Sequence, residues 1–448
     1  MKRFFFILIL ILVLMGVEKR ANARPCLVNS DADRYTLDQE EPEFTLRDYL
    51  WIIQQAWREE SRDRYGNRLV NPYYNFCRDG TNERGKAIRR LLLTHDYYLL
   101  QSPLPPLVVG EGETLIIESE SDGHSILDGT SISGRDDDCG LYLGLDAERL
   151  WREAAGTAPP NASILAGWRE DLSGENILLQ NFGLRAFPNH AVCIGANRIQ
   201  LSQLRIFASG DDGLVLGTDL HPNVEDIQIE EVEFLYNEGA AVEVTGETTH
   251  FRWEGNRMWE NEGGGFAVAG RRSGENPVVE EIIEEFDGWK ITGRVPETVA
   301  RPYLIQTYLQ NPNAAQTHPE GVLLLQSAEF SSRQFTLTIP KERENILSYG
   351  RYNQLPFYSD LDRSLQALAP SHYPFTLLLM DHNGTMVPFA EPFRPEDYLS
   401  PLPSINREQF LRFVEILRRI WRERNNETPA EPPPSEEVPP TAPPPPPP

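Results

Sequence analysis

Four short apolar runs recur in the middle of the chain: Ile177-Leu178-Leu179, Ile199-Gln200-Leu201, Ile227-Gln228-Ile229 and Phe251-Arg252-Trp253. Each is followed by a second run: Ala191–Ile194, Gly213–Leu216, Ala240–Val242 and Gly265–Val268. The central residues Leu179, Leu201, Ile229 and Trp253 are separated by 22, 28 and 24 positions. Within each run one side chain in two falls on the same face, which is the period of a strand. No helical pattern lies between the runs. A repeat of this length without a crossover helix predicts one turn of a parallel β-solenoid per repeat. Each coil would bury its apolar row against the next, and no coil would be stable alone.

The flanks have a different texture. Leu46, Leu50, Ile53 and Trp57 have helical spacing, with Thr45 as N-cap and Asp48 three residues on. A second helix is expected over Ala87–Thr94. Ser102–Pro106 breaks any helix, and Leu107–Val109 and Thr114–Ile117 predict short strands, closed by Ser125–Gly129. The acidic stretch 274–287 predicts a boundary or loop. Beyond it, strands are expected at Tyr303–Ile305, Val322–Leu325, Phe335–Thr338 and Phe375–Met380. Asn383-Gly384 before Met386-Val387 is a hairpin signal, and 341–372 has the texture of an irregular insertion. Phe410, Phe413, Leu417, Ile420 and Trp421 line one face of a helix over 406–424. From Thr428 the Pro/Glu-rich tail is expected to be extended, solvated and disordered.

Composition adds an address. Lys2-Arg3, the apolar run Phe4–Met15 and Ala21-Asn22-Ala23 have the layout of a secretory signal cleaved after Ala23. The run falls short of the roughly 20 residues that a membrane span needs, so no span is expected after cleavage. The chain would be secreted, periplasmic or on the cell surface. Lys+Arg number 42 against 67 Asp+Glu, a formal net charge of −25. Such a chain is repelled by nucleic acid and by anionic membranes. The four cysteines, Cys26, Cys77, Cys139 and Cys193, form no CxxC pair, which argues against a zinc site. Two disulfides are compatible with export. Cys26 and Cys77 flank the N-terminal helical segment and are the expected pair.

Phe44-Thr45-Leu46-Arg47-Asp48, the break at Ser102–Pro106, Thr114–Ile117 and Ile126–Gly129 together resemble a family of secreted bacterial β-helix proteins within the pectate-lyase-like superfamily. That family begins with a Cys-Ser-Leu-Arg-Glu-Ala motif; here Phe44 stands for its cysteine and Tyr49 for its alanine. The stretch 288–393 is similar to the sandwich module that often follows such helices, with Asp381–Thr385 as its closing turn. The resemblance implies an all-β chain: a right-handed parallel β-helix, then a β-sandwich-like module. The expected division is a signal peptide at 1–23, a helical capping region at 24–100 and the β-helix at 101–273. A sandwich-like module at 288–393, a helix at 405–425 and a disordered tail at 428–448 complete it.

Ser209-Gly210-Asp211-Asp212-Gly213 is the sharpest chemical signal. Adjacent carboxylates can divide acid and base roles or share a cation. The motif resembles the paired aspartates of polygalacturonase-type β-helix hydrolases. That family's third aspartate would fall at Ala191, within Asn189-His190-Ala191-Val192, and its Gly-His-Gly motif at Tyr236–Gly239, where no histidine stands. The plainer reading is a set of solenoid corners, Asp212-Gly213, Glu238-Gly239 and Glu262-Gly263, in which glycine supplies φ > 0. Stacking would then align Asp211, Asp212, Glu238 and Glu262 in an acidic ladder headed by His190.

The expected catalytic set is Asp211, Asp212 and His190. The expected binding set is Arg185, Asn189, Glu238, Arg257, Trp259 and Glu262. Calcium is the candidate cofactor, on Asp211, Asp212 and Glu238. Trp253 is assigned to the core, and His221, His250 and His382 lack metal-ligand spacing. The favoured function is binding of polysaccharide or another extracellular polymer along a solenoid face. The rivals are a polysaccharide lyase or glycoside hydrolase and a purely structural surface protein.

Overall fold

The computed structural model describes residues 26–28, 45–47, 49–50, 77–110, 112–120, 125–133, 139–144, 172–173, 175–218, 221–268, 276–312, 319–351, 358–384, 386–387 and 389–399. The expected signal segment, the helix expected over 405–425 and the Pro-rich tail lie outside them. So does most of the first expected helix; positions 46, 47, 49 and 50 of it are helical.

Parallel strands stack coil on coil into three long sheets and a short fourth one, Val224–Glu225 with Thr248–Thr249, which makes the chain a parallel β-helix. In the first sheet Ala87–Leu93, Thr114–Ser119, Ile177–Gln180, Ile199–Ser202, Ile227–Glu230 and Arg252–Glu254 follow one another. The four residues that set the repeat stack in register: Leu179 on Leu201, Leu201 on Ile229, Ile229 on Trp253. All four are buried. The second apolar runs form another sheet: Cys139–Gly144, His190–Gly195, Leu214–Leu216, Val242–Val244 and Phe266–Val268. Between these two lies a sheet without an apolar run to announce it: Tyr97–Leu99, Ile126–Asp128, Gly183–Arg185, Arg205–Phe207, Glu233–Leu235 and Arg257–Trp259. In its repeating coils the central residue of each strand, Leu184, Ile206, Phe234 or Met258, is fully buried.

The corners are built from left-handed residues that are mostly not glycine. Asn176, Arg198, Asp226 and His250 precede the first sheet in successive coils with φ of 51–58°. Asn181, Gln203, Glu231 and Gly255 follow it, and Ala186, Ala208, Tyr236 and Glu260 follow the middle sheet, all with positive φ. Each set repeats at the 22, 28 and 24 spacing of the core. A non-glycine residue held in this region costs on the order of 1 kcal/mol, so stacking imposes the corners against local preference. Gly213, Gly239 and Gly263 do not have positive φ, which corrects the expectation for the Asp-Gly and Glu-Gly corners. Close approach explains them instead: a Cβ on Gly213 would stand 2.9 Å from the Ala241 carbonyl oxygen.

The N-terminal end corrects two expectations. Residues 87–93 form a strand, not a helix, with alternate residues buried and parallel pairing to Thr114–Ser119. The solenoid therefore starts before residue 101. Arg89, wholly buried on this strand, makes a two-pronged ion pair with Glu113 at 2.6 and 3.2 Å, which keeps both charges partnered. The expected Cys26–Cys77 disulfide is present, and Cys139 pairs with Cys193.

The far end is capped by the next part of the chain. Asparagines stack up the solenoid: the Ser209 amide donates to Asn237 Oδ1 and the Asn237 amide to Asn261 Oδ1. Where the next asparagine would stand, Glu320 accepts from the Asn261 amide at 2.5 Å and the Glu260 amide at 3.0 Å. Trp253 Nε1 donates to Tyr308 Oη, Tyr308 to Gln306 Oε1, and Gln306 Nε2 back to the Trp253 carbonyl. Beyond the solenoid the sheets are antiparallel. One holds Val278–Glu284, Gly288–Arg294 and Gln334–Pro340; the other holds Gly321–Phe330, Tyr303–Gln310, Phe375–Asp381 and Met386–Val387. The hairpin at Asn383-Gly384 forms as expected, with Gly384 at φ 75°. The acidic stretch stands at the boundary, as one of its two expected readings had it, and contributes the strand Val278–Glu284, while the expected insertion contains helices Arg343–Arg351 and Tyr358–Gln366. Among the described residues no helix is long and apolar enough to cross a membrane.

Ile229 is fully buried between Leu201 and Trp253. Ile229→Ala should cost about 2–5 kcal/mol in denaturant unfolding. A loss below about 0.5 kcal/mol, the range of an exposed position, would contradict this register.

Candidate functional site

The strand His190–Gly195 starts where the chain turns into the third sheet, and one coil later Asp211 and Asp212 stand just before Leu214–Leu216. Backbone bonds fix the two levels together: Asp211 donates to the Asn189 carbonyl and Ala191 donates to the Asp212 carbonyl. His190 Nδ1 lies 3.3 Å from Asp212 Oδ2, and its Nε2 lies 3.9 Å from Asp211 Oδ2. The His190 side chain is 17% exposed, that of Asp212 10% and that of Asp211 50%. The Ala240 amide of the next coil donates to Asp212 Oδ1 at 2.6 Å and orients that carboxylate. Gly239 makes the space: a Cβ there would stand 2.5 Å from Oδ1 of both aspartates.

Glu243 completes the group and was not foreseen. Its neighbours Val242 and Val244 belong to the core, so its side chain points outward, beside Val215 in the sheet. Three acids and an imidazole thus share one electrostatic field. Burial raises the pKa of Glu243, and the charge and hydrogen bond of Asp212 raise it further. Burial and then the Asp212 charge raise that of Asp211. For His190, burial is the largest influence and lowers its pKa. Contact with Asp212 and the charges of Asp212, Asp211 and Glu243 outweigh it, so the net shift is upward. Asp212 therefore dominates the upward shift, by contact first and by charge second.

The other expected residues disperse. Glu238 and Glu262 are exposed at their corners, and the charges acting on Asp211 and Glu243 are not theirs. The four-acid ladder is therefore corrected to His190, Asp211, Asp212 and Glu243, and Glu238 is not among the converging metal donors. Arg257 is buried on the middle sheet and pairs with Glu233 at 3.1 Å. Arg185, on the same sheet, faces Asp128 at 3.6 Å. Neither arginine stands among the acids that act on His190. Trp259 is 1% exposed and cannot offer a face to a ligand, whereas Tyr236, three residues before Gly239, is 47% exposed. Trp253 is core as assigned. Asn189 is at the site through its backbone. His250, which sequence spacing gave no partners, meets Glu225 at 3.0 Å and Asp226 at 3.2 Å in a more exposed cluster.

No family model matches the chain, and neither does any curated protein. Among solved structures it is similar to the enzymatically active domain of bacteriophage CBA120 tailspike protein 2, with 8% identity and a TM-score of 0.16 over 70% of this chain and 72% of that one. At that score the likeness carries no weight; the fold rests on the coil pairing.

Raised pKa values mean that the folded state binds more protons than the unfolded chain. The His190 contribution is complete below its unfolded value of 6.5 and is lost as pH rises through the higher folded value. Asp211 and Glu243 act in the same sense, starting from 3.8 and 4.5. In EDTA, wild type should lose more stability than His190→Gln between about pH 6 and about pH 8. Urea midpoints with equal pH dependence would contradict the placement of His190.

Proposed function

We propose that the chain is an exported β-helix protein that binds a neutral, hydroxyl-rich polymer, a polysaccharide above all, at the outer edge of the third sheet. The observation that carries this reading is the convergence of His190, Asp211, Asp212 and Glu243 at one corner, against which Gly239 packs closely. Carboxylates there accept hydrogen bonds from sugar hydroxyls, and the exposed Tyr236 ring nearby in the chain can stack on a sugar face. Charge selects the ligand class. Arg185 and Arg257 are engaged with Asp128 and Glu233, and the formal net charge is −25. An anionic polymer would meet repulsion without a cationic subsite.

A second reading, glycoside hydrolysis, is favoured by one observation. The upward shifts of Asp211 and Glu243 suit a carboxyl held as a proton donor beside an ionised partner.

A panel of neutral and anionic polysaccharides tests both. Asp211→Asn with Asp212→Asn keeps side-chain shape and removes both charges. Affinity for the neutral ligand should fall at least tenfold, about 1.4 kcal/mol. Release of new reducing ends by wild type alone would establish the hydrolytic reading. Unchanged binding by the double variant would sink the site for either.

A further inference from the structure

We propose that His190, Asp211 and Asp212 form a binding site for a divalent transition metal of the zinc or manganese type, with Glu243 as a further carboxylate beside it. The assignment stands on the donor set and does not require that a polymer be the ligand. One donor atom from each of the three residues lies within 4.8 Å of the others. They come from two successive coils, His190 from one and the aspartates from the next. A tetrahedral ion with bonds of about 2.0–2.1 Å holds its ligand atoms roughly 3.3 Å apart. The Nδ1–Oδ2 separation of His190 and Asp212 is 3.3 Å. Asp211 Oδ2 lies 3.9 Å from the other ring nitrogen, Nε2, and its half-exposed side chain must rotate toward Nδ1 to share the ion.

One further observation points to an occupant. His190 Nδ1 is sealed from solvent and makes no hydrogen bond although it faces a carboxylate oxygen. A buried imidazole nitrogen left in this way is short of one partner, which a metal supplies. Gly239 packs closely on the other side of both aspartates, where a Cβ would stand 2.5 Å from each Oδ1, so the Oδ2 atoms are the ones that face His190. The competing occupant is a proton on His190, which would pair with the same aspartates. Donor chemistry decides the metal class. An imidazole with carboxylates suits zinc, manganese or nickel, whereas calcium prefers oxygen donors alone. The expected calcium site with Glu238 is thereby replaced.

The test is calorimetric titration of full-length protein, stripped with EDTA, with Zn²⁺, Mn²⁺ and Ca²⁺ separately. One saturable Zn²⁺ or Mn²⁺ site per chain is expected, with Ca²⁺ at least tenfold weaker. His190→Gln and Asp211→Asn should each weaken the transition metal at least tenfold, and His250→Ala should leave it unchanged. Absence of a saturable site, or binding that survives His190→Gln, would overturn the proposal. So would loss on His250→Ala, which would move the ion to the Glu225, Asp226 and His250 cluster, or Ca²⁺ as the tightest ligand. Circular dichroism in EDTA checks the fold, and if His190→Gln does not fold, Asp211→Asn at its half-exposed position decides. Polymer binding measured in EDTA separates the two ideas: binding there without any metal site leaves the polymer reading standing and removes this one.

Discussion

Register between successive coils is the constraint on which the rest of the molecule depends. Parallel pairing of Leu179, Leu201, Ile229 and Trp253 sets every other position in the coil. A slip of one residue would turn each buried side chain outward. The corners show how strong this constraint is, because Arg198, Gln203, Tyr236 and His250 accept left-handed backbone where glycine would fit more easily. The stack also needs an end. The asparagine ladder through Asn237 and Asn261 stops on the buried Glu320, whose two oxygens satisfy the amides of Asn261 and Glu260. Burial raises the Glu320 pKa and those bonds oppose it, with a net upward shift. The cap therefore belongs to the solenoid as much as any coil does.

The acidic corner follows from the same register. His190 and Asp212 are 22 residues apart in the chain and meet because their coils are stacked. Glu243 enters from the coil beyond, beside Val215. Three acids at one corner would repel strongly if all were ionised. Protonation of His190, a shared proton with Glu243 or a bound cation each relieves that repulsion. His190, Asp211 and Glu243 are shifted upward together in this field, whereas Glu238 and Glu262 stand exposed at their corners.

Much of the solenoid was legible because burial in it follows simple alternation. Ile199-Gln200-Leu201 and Ile227-Gln228-Ile229 announce their strands, and their spacing announces the coil. The middle sheet was not legible, since Gly183–Arg185 and Arg205–Phe207 each carry one inward residue and give no run. Ala87–Leu93 misled for a related reason: Arg89 at an inward position breaks the apolar alternation, and only its distant partner Glu113 explains it. At the site, Asp211-Asp212 and His190 were visible as residue types that suit chemistry. Glu243 was hidden inside a three-residue strand, and only its buried neighbours Val242 and Val244 mark it as outward. Arg257 and Trp259 suit ligand binding by residue type, yet both are buried.

The central claim is that coil stacking brings His190 and Asp212 into direct electrostatic contact. A double-mutant cycle of His190→Gln and Asp212→Asn, read by urea unfolding at about pH 6 in EDTA, tests it most directly, because histidine is largely protonated there. The account predicts a coupling energy of at least about 0.5 kcal/mol between the two residues. Effects that add within about 0.3 kcal/mol would mean that the two side chains do not meet, and would contradict both the register and the site built on it.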